Sequence, residues 1–236
     1  NGVYIELNTN ELYGRNLTAG ALDVMGQYYS VASSSHAFYN YGGLVYTGND
    51  EKALFDNMWQ KCYAVIACCN TIIEKCDENK AGLSPVWRGS IKGEALALRA
   101  MLHFDMLRLF GPLTSELDKE SIPYQTNSDQ TVTPLLSGSE VVGLILDDLK
   151  NAVGLLKDTD PYFVEEEFSD TDLNYRRFRM NYFAAKGLMA RVQLWGGDKE
   201  KAAATAKEVI AEGQAEGAEF FPFVTNSEAT SSNPDR

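Results

Sequence analysis

An apolar stripe in the segment from Asp50 to about Asp77 constrains the fold more than any other feature of this sequence. Its seven members recur at alternating intervals of four and three residues: Phe55, Trp59, Cys62, Ile66, Cys69, Ile73 and Cys76. That spacing places all seven side chains on one face of an α-helix. Asn49 and the acidic residues that follow it are typical of a helix N-terminus. The segment therefore predicts a long amphipathic helix that buries one face against partner helices.

Several further segments carry the start and stop signals of helices. Ser84, followed by a proline, predicts the start of a second helix, which ends at Gly111. Ser137 and Glu140 have the spacing of a capping box and predict the start of a third helix. The other predicted helices are Arg179 to Trp195, Lys199 to Gly213, and Val3 to Leu7 as the end of an earlier helix.

The alternating pattern of a β-strand is almost absent from the sequence. Only Phe220 to Val224 is a strand candidate, and the stretches from Pro112 to Pro134 and from Asp158 to Asn174 are typical of long loops. Small residues lie where neighbouring helices would cross, and those around Gly197 match part of the tetratricopeptide pattern. The predicted fold class is mainly α, as tetratricopeptide-like stacked helix hairpins with long irregular loops.

Size and charge restrict the class of protein. A chain of 236 residues is long enough to bury its own core, and we predict a single helical domain over residues 1–236. The net charge of −12 argues against nucleic acid as a partner, because neutralising phosphates requires clustered Lys and Arg. The longest apolar runs, Cys62 to Cys69 and Val141 to Leu146, are shorter than the ~20 residues of a membrane span.

All four cysteines lie on the first long helix, so a disulfide or a metal site has to be considered. Cys62, Cys69 and Cys76 are seven residues apart, or about 10 Å of helix rise each. A disulfide requires Cα atoms within roughly 7 Å of each other. No histidine lies nearby and no C-x-x-C motif is present. We therefore predict thiols buried in the core, with no metal site and no cofactor.

An acidic stretch near residue 170 begins like a calcium-binding loop. Asp170, Asp172 and Asn174 occupy the first three ligand positions of an EF-hand. Tyr175 stands where that loop requires Gly, and Asn181 stands where it requires Glu. We interpret the stretch as a solvated acidic loop and leave weak calcium binding by its carboxylates open.

Motifs of enzyme active sites are absent. The sequence contains no G-x-S-x-G, Walker or H-E-x-x-H motif. Two histidines give a Ser-His-Asp or Cys-His site few ways to form, and His103 lies next to Phe104 in an apolar helix, as a core histidine would. A glycosidase-type carboxylate pair stays open among 33 acidic residues, although nothing marks one. We predict no catalytic residue.

Charged residues interrupt the apolar faces of two predicted helices. Glu94, Arg99 and Asp105 bracket the apolar face of the second helix, and Arg191 lies among apolar neighbours in a later one. A charge in such a position usually requires a partner. We predict scaffold ion pairs between helices, with Glu94 and Arg191 as the specific pair.

The stretch from Ser33 to Tyr46, in the long connection before the first long helix, has the composition of a sugar-binding surface. Tyrosine rings offer flat faces on which a pyranose can stack, and amide or imidazole groups can bond its hydroxyls. The predicted ligand-binding residues are Tyr39, Tyr41, Tyr46, Asn40, His36 and Asn49. The alternative interpretation is a loop that packs on the helices through its own tyrosines.

Taken together, several stretches resemble one known family in their order and spacing. These are Trp59-x3-Tyr63-x2-Ile66-x3-Asn70-x2-Ile73, Gly93 to Ala100, His103 to Asp105, Arg108 to Leu113, Ile122 to Tyr124, Arg179 to Ala185, Ala190 to Leu194, and Gly197-Asp198. From about Tyr4 to Val224 the chain is similar to the SusD/RagB-like family, the surface lipoproteins of Bacteroidetes that capture nutrients. Each stretch alone is a weak signal, whereas the joint pattern is specific.

The resemblance implies a tetratricopeptide-like scaffold with a loop-rich ligand region, here about residues 23–50. Members bind glycans, or sometimes peptides, at the cell surface and pass them to a TonB-dependent outer-membrane transporter of the SusC type. A lipid on an N-terminal Cys, absent from this sequence, tethers them to the outer membrane. At about half the usual family length, the chain is expected to be the N-terminal part of a longer protein, without the C-terminal half of the family fold.

The predicted function is a non-enzymatic one: glycan binding at the cell surface and delivery to the transporter, with membrane contact only through an anchor outside this chain. Two alternatives stay open. A tetratricopeptide-type adaptor would bind proteins in a concave groove and would have no sugar affinity. A glycoside hydrolase would lose its turnover when one Asp or Glu is replaced.

Overall fold

Helices dominate the computed structural model, which describes residues 1–129, 131–164, 168–169, 175–214, 220 and 224–230. In chain order they are α1 (Gly2–Leu7), α2 (Ala21–Met25), α3 (Tyr39–Gly42), α4 (Asn49–Glu78), α5 (Pro85–Phe110), α6 (Gly138–Thr159), α7 (Tyr182–Trp195), α8 (Lys199–Gly213) and α9 (Asn226–Ala229). Two strands, β1 (Glu120–Pro123) and β2 (Leu135–Ser137), lie between α5 and α6. The predicted mainly α fold class is confirmed.

Capping side chains begin α5 and α6 where the sequence predicts them. Ser84 Oγ accepts a hydrogen bond from the backbone N–H of Trp87 at 3.3 Å. Ser137 Oγ accepts from the N–H of Glu140 at 3.3 Å, and Glu140 Oε2 accepts from the N–H of Ser137 at 2.9 Å. These reciprocal bonds satisfy two backbone donors that the helix itself leaves free, and they confirm the predicted capping box.

The hairpin of α7 and α8 turns at a glycine. α7 begins at Tyr182, later than the predicted Arg179, because Asn181 is its N-cap and accepts from the N–H of Ala184 at 2.9 Å. Gly197 follows α7 with a φ of 93°, a left-handed conformation that favours glycine. α8 then begins at Lys199, as predicted.

Two short strands lie within and just after the stretch that the sequence predicts as an irregular loop. β1 and β2 pair antiparallel, with Glu120 opposite Ser137 and Pro123 opposite Leu135. The loop prediction is wrong for β1, and β2 lies just beyond the predicted loop. Both strands are too short for an alternating pattern to stand out. Residues 111–137 are called the β connection below. The other strand candidate, Phe220 to Val224, includes residues 221–223, which lie outside the described residues.

α5 lies at the centre of the helix stack, in contact with both α4 and α6. Glycines on α5 allow α6 to approach closely: a Cβ on Gly93 would lie 2.8 Å from Leu156 Cγ, and one on Gly89 would lie 2.5 Å from Thr159 Cγ2. α6 packs in turn against α7, and α7 against α8. Successive helices therefore stack as hairpins, which explains the small residues on the central helix.

The cysteines are free thiols, as predicted. Cys62, Cys69 and Cys76 are buried, and burial raises the pKa of Cys69 to about 12, so this thiol is neutral at pH 7. Cys68 is exposed, because the residue before Cys69 lies off the apolar stripe. The prediction of core thiols is confirmed for three cysteines and wrong for the fourth.

His103 is a core residue, as predicted, with no exposed surface. Its Nδ1 lies 3.0 Å from the carbonyl oxygen of Arg99, and its Nε2 accepts from the N–H of Gln125 at 3.0 Å. Because Nε2 accepts, the ring proton lies on Nδ1 and both nitrogens are satisfied. Burial lowers the pKa of His103 to about 3, so the ring is neutral at pH 7.

Arg99 lies at the centre of a buried polar cluster between α4, α5 and α6. Its Nε and Nη2 donate to the two carboxylate oxygens of Asp148 at 2.7 and 2.6 Å, and its Nη1 donates to Asn70 Oδ1 at 2.8 Å. The hydroxyl of Tyr124 donates to the same carboxylate at 2.6 Å. The predicted ion pair at Arg99 is confirmed, with Asp148 as its partner.

The predicted pair of Glu94 and Arg191 is wrong. Glu94 instead accepts from Arg176 Nη1 at 2.5 Å. Arg191 is exposed, and its guanidinium lies 5.8 Å from the ring centroid of Phe104. Arg176 belongs to the segment between α6 and α7, and nothing in the periodicity of either helix places that segment beside Glu94.

Asp105 forms an ion pair with Arg108, one turn along the same helix. It also accepts from the hydroxyl of Tyr13 at 2.5 Å, which connects the N-terminal segment to α5. The predicted ion pair at Asp105 is therefore present but lies within one helix, and the contact between segments is made by a tyrosine.

Candidate functional site

The connection of residues 23–50, called the tyrosine connection below, lies beside the N-terminal half of α4. It contains most of α2, all of α3 and the start of α4. Gln27 has a φ of 62°, and its side-chain amide donates to the carbonyl of Gly42 at 3.0 Å, which holds the end of α2 against α3. Asn40 Nδ2 donates to Glu51 Oε1 at 2.8 Å and ties α3 to α4. Local hydrogen bonds therefore give the connection a fixed shape.

Tyr41 and Tyr46 anchor the connection to α4. Tyr41 is only 2% exposed, and its ring lies edge-on to Phe38 and Phe55 with centroid distances of 5.8 and 6.0 Å. Tyr46 is half-buried, 5.4 Å from Phe55. Burial, with the nearby Glu51 carboxylate, raises the pKa of Tyr41 to about 12. The prediction that Tyr41 offers its ring to a ligand is therefore wrong, because the protein itself covers that ring.

The aromatic contacts continue from these anchors into the helix stack. Phe55 meets Phe110 at 6.3 Å, Phe110 meets Trp59 at 5.1 Å, and Trp59 meets Tyr63 at 4.7 Å between ring centroids. Tyr63 then donates its hydroxyl to the carbonyl of Pro123 in the β connection at 2.9 Å. The sequence motif around Trp59 is thus the row of rings that supports the tyrosine connection.

Three tyrosine rings of the connection face solvent. Tyr39, one of the predicted ligand residues, is 42% exposed. Tyr28 and Tyr29, which the sequence reading missed, are 80% and 57% exposed. The sequence does contain an indication of them, because two adjacent tyrosines follow Gly26 and Gln27 within the same polar connection. Large exposed rings grouped on one connection are a feature of binding surfaces.

The predicted polar residues belong to the same connection as these rings. His36 is exposed, and its Nδ1 accepts a hydrogen bond from the backbone N–H of Phe38 at 3.1 Å. The other ring nitrogen, Nε2, takes no part in this bond. Asn40 and Asn49 are also exposed, and Asn49 begins α4. A cleft of about 230 Å³ opens beside the start of α4, lined by Glu11, Arg15, Asn16, Asp50, Ala53, Leu54 and Asn57.

Arg15 joins the cleft to the aromatic surface, because its guanidinium lies 5.7 Å from the ring centroid of Phe38. Ring faces, amides, carboxylates and a guanidinium therefore occur side by side. Rings cover the apolar faces of a sugar, and the other groups donate to or accept from its hydroxyls. The chemistry of this surface suits an uncharged, hydroxyl-rich ligand.

The part of the chain that the structure describes contains no group of three or more His, Cys, Asp or Glu side chains placed to hold a metal ion. Asp170, Asp172 and Asn174, considered above as the start of a calcium loop, lie outside the described residues. Of the helices within the described residues, none combines the length and the hydropathy that crossing a bilayer requires.

A family model described as "Starch-binding associating with outer membrane" matches residues 18–194. The chain belongs to the SusD-like family. The match begins before α2 and ends within α7, so it includes the tyrosine connection, the row of rings and the buried Arg99 cluster. The resemblance stated from the sequence is confirmed.

Two SusD-like relatives match parts of this chain. A SusD-like protein of Formosa agariphila is 34% identical over 96 residues, which is 40% of this chain and 17% of that protein. A SusD-like protein of Bacteroides ovatus is 30% identical over 146 residues, which is 60% of this chain and 23% of that protein.

The fold recurs in solved structures. A SusD-like carbohydrate binding protein from Bacteroides vulgatus superposes with a TM-score of 0.70 at 22% identity, over 96% of this chain and 46% of that one. This SusD-like chain therefore spans less than half of that structure and less than a quarter of either relative.

Proposed function

We propose that this SusD-like chain binds a glycan at the cell surface through the exposed face of the tyrosine connection. The observation that carries the proposal is the set of solvent-facing rings, Tyr28, Tyr29 and Tyr39, on a connection that hydrogen bonds of Gln27 and Asn40 tie to α3 and α4. The family description names starch binding, and a protein with the same fold is a carbohydrate binding protein.

The residues assigned to the ligand are Tyr39, Tyr28 and Tyr29 for stacking, with His36, Asn40 and Asn49 as hydrogen-bonding groups at the edge. Tyr41 and Tyr46 support the surface from behind. Binding proceeds without a chemical step, so the released ligand is unchanged. A peptide with exposed aromatic or amide groups is the second candidate ligand, because the same rings and amides suit it.

The place of this function is the outer membrane. The family description includes association with the outer membrane, and we propose a lipid-anchored surface protein that delivers its glycan to a TonB-dependent transporter of the SusC type. Co-purification of the full-length protein with such a transporter from solubilised outer membranes tests this part. Recovery of the protein without any transporter would contradict the delivery role and leave glycan binding intact.

Calorimetric titration with a panel of neutral oligosaccharides, beginning with maltoheptaose, tests glycan binding. We expect Tyr39→Ala and Tyr28→Ala each to weaken the affinity about tenfold, the loss expected from removing one stacking contact. Ile210→Ala is the control, since Ile210 is 58% exposed on α8 and belongs to neither the tyrosine connection nor the cleft beside it.

Equal affinity of wild type and both tyrosine variants would overturn the site. The absence of sugar binding by the wild-type chain, combined with peptide binding that the helix faces mediate, would favour the adaptor alternative. Release of reducing sugar during long incubation, abolished by replacing one Asp or Glu, would instead favour a glycoside hydrolase.

A further inference from the structure

A second concave surface lies between α1, the first turns of α5 and described residues between α6 and α7, among them Phe168 and Tyr175. This groove has a volume of about 990 Å³, at the upper end of the range typical of ligand pockets. It shares no lining residue with the cleft beside the tyrosine connection. Its residues have no role in the function proposed above.

Aromatic side chains form one wall of the groove. The rings of Trp87 and Phe168 lie 4.5 Å apart between centroids at an angle of 51°, and Tyr175 adds a third ring that is 56% exposed. The backbone of Trp87 belongs to the α5 cap, because its backbone N–H donates to Ser84 Oγ. Two rings at this angle present an apolar corner to a ligand.

The base of the groove is polar and fixed. Arg176 is 3% exposed and donates to both carboxylate oxygens of Asp160, at 3.0 and 2.6 Å, and to Glu94 at 2.5 Å. The hydroxyl of Tyr4 donates to the other oxygen of Glu94 at 2.5 Å. Each oxygen of a carboxylate has two lone pairs, so Glu94 retains acceptor capacity toward the groove.

The described side chains at the groove carry balanced charges. Among the described residues at its lining and base, the guanidinium groups of Arg176 and Arg179 are matched by the carboxylates of Glu94 and Asp160. Arg179 lies over the ring of Tyr4, 5.1 Å from the centroid, and supplies donors at the rim. A charged ligand would disturb this balance, whereas an uncharged hydroxyl-rich ligand would find ring faces, donors and acceptors.

We propose that this groove is a second saccharide site, which takes a neutral oligosaccharide with one sugar ring against Trp87 and Phe168 and with hydroxyls at Glu94 and Arg179. The inference rests on the proposed glycan-binding function and adds a site to it. Two sites on one chain would hold a polymeric glycan at two points and raise its overall affinity.

Fluorine NMR of the chain labelled with 5-fluorotryptophan tests the site directly. The three tryptophans, Trp59, Trp87 and Trp195, give three resonances, which Trp→Phe variants assign. On titration with maltoheptaose and then the other neutral oligosaccharides, we expect the Trp87 resonance to shift in a saturable manner. The Trp195 resonance should stay in place, because Trp195 packs against Phe104 and does not line the groove.

The variants separate this inference from the proposed function. In Tyr39→Ala the Trp87 shift should persist, whereas in Tyr175→Ala it should need about tenfold more sugar. Calorimetric binding with no movement of the Trp87 resonance would overturn the second site and leave glycan binding intact. Failure of every sugar in both measurements would overturn the proposed function and the second site together.

Discussion

The β connection and the tyrosine connection differ in what holds them. Side chains of the helices bond the backbone of the β connection: Asn70 donates to the carbonyls of Gln125 and Asn127, and His103 accepts from the N–H of Gln125. The tyrosine connection is held by ring contacts, by Asn40 and by Gln27, and it leaves three tyrosines in water.

This difference separates scaffold from binding surface. Buried polar groups in proteins are almost always satisfied, and those of the Arg99 cluster bond one another within the core. The face of an exposed ring that stays in water contributes nothing to the free energy of folding. The family motif around Asn70 and His103 therefore belongs to the scaffold, while ligand contacts are expected where rings remain uncovered.

The largest expected effect comes from breaking the Arg99 cluster. Arg99→Ala leaves the carboxylate of Asp148 buried without its cation, which costs about 3–5 kcal/mol of unfolding free energy. Chemical denaturation measures the loss. Arg191→Ala is the matched control, because within the described part of the chain this exposed arginine contacts only the ring of Phe104. We expect it to cost less than about 1 kcal/mol of unfolding free energy. Similar losses in both variants would contradict the scaffold role of the Arg99 cluster.

A smaller loss is expected when the anchor of the tyrosine connection is removed. Tyr41→Ala opens a cavity between Phe38 and Phe55 and should cost about 2–4 kcal/mol. Tyr41→Phe keeps the ring and loses only a long hydrogen bond to the carbonyl of Asp50, 3.5 Å, so it should cost less than about 1 kcal/mol. If thermal unfolding shows no difference between these variants, Tyr41 does not anchor the connection through its ring.

The sequence predicts elements of this fold that depend on local spacing. The bounds of α8, the cap of α5 and the capping box of α6 follow from residues within one helical turn, and all are present. The partner of Glu94 could not be predicted in this way, because Arg176 lies 82 residues away on an irregular segment. The burial of Tyr41 depends likewise on where α4 places Phe55, and composition alone carries no such information.

Acid should lower the free energy of unfolding through His103, which bonds the backbone of the β connection. The pKa of His103 is lowered from 6.5 to about 3 in the folded protein, so between these values the unfolded chain binds a proton that the folded chain excludes. The resulting stability is fully present above pH 6.5 and is lost as the pH falls toward 3. We expect a loss of about 1.4 kcal/mol at pH 5.5 from this group.

The variant His103→Gln keeps a donor and an acceptor at this position but does not titrate. Subtracting its pH dependence of unfolding from that of the wild type isolates the contribution of His103. A difference that stays constant between pH 7 and pH 4 would show that the histidine is not excluded from protonation in the folded state.

The smallest effect on the free energy of unfolding is expected at Tyr39, which separates a ligand residue from a scaffold residue most clearly. Tyr39→Ala removes a ring that is 42% exposed, and surface substitutions of this kind usually change the unfolding free energy by less than about 0.5 kcal/mol. The same variant is expected to lose about tenfold in glycan affinity. A ring that contributes to affinity but not to folding is a ligand residue. If Tyr39→Ala instead destabilises the chain as much as Tyr41→Ala does, both tyrosines belong to the scaffold, and the ligand surface reduces to Tyr28 and Tyr29.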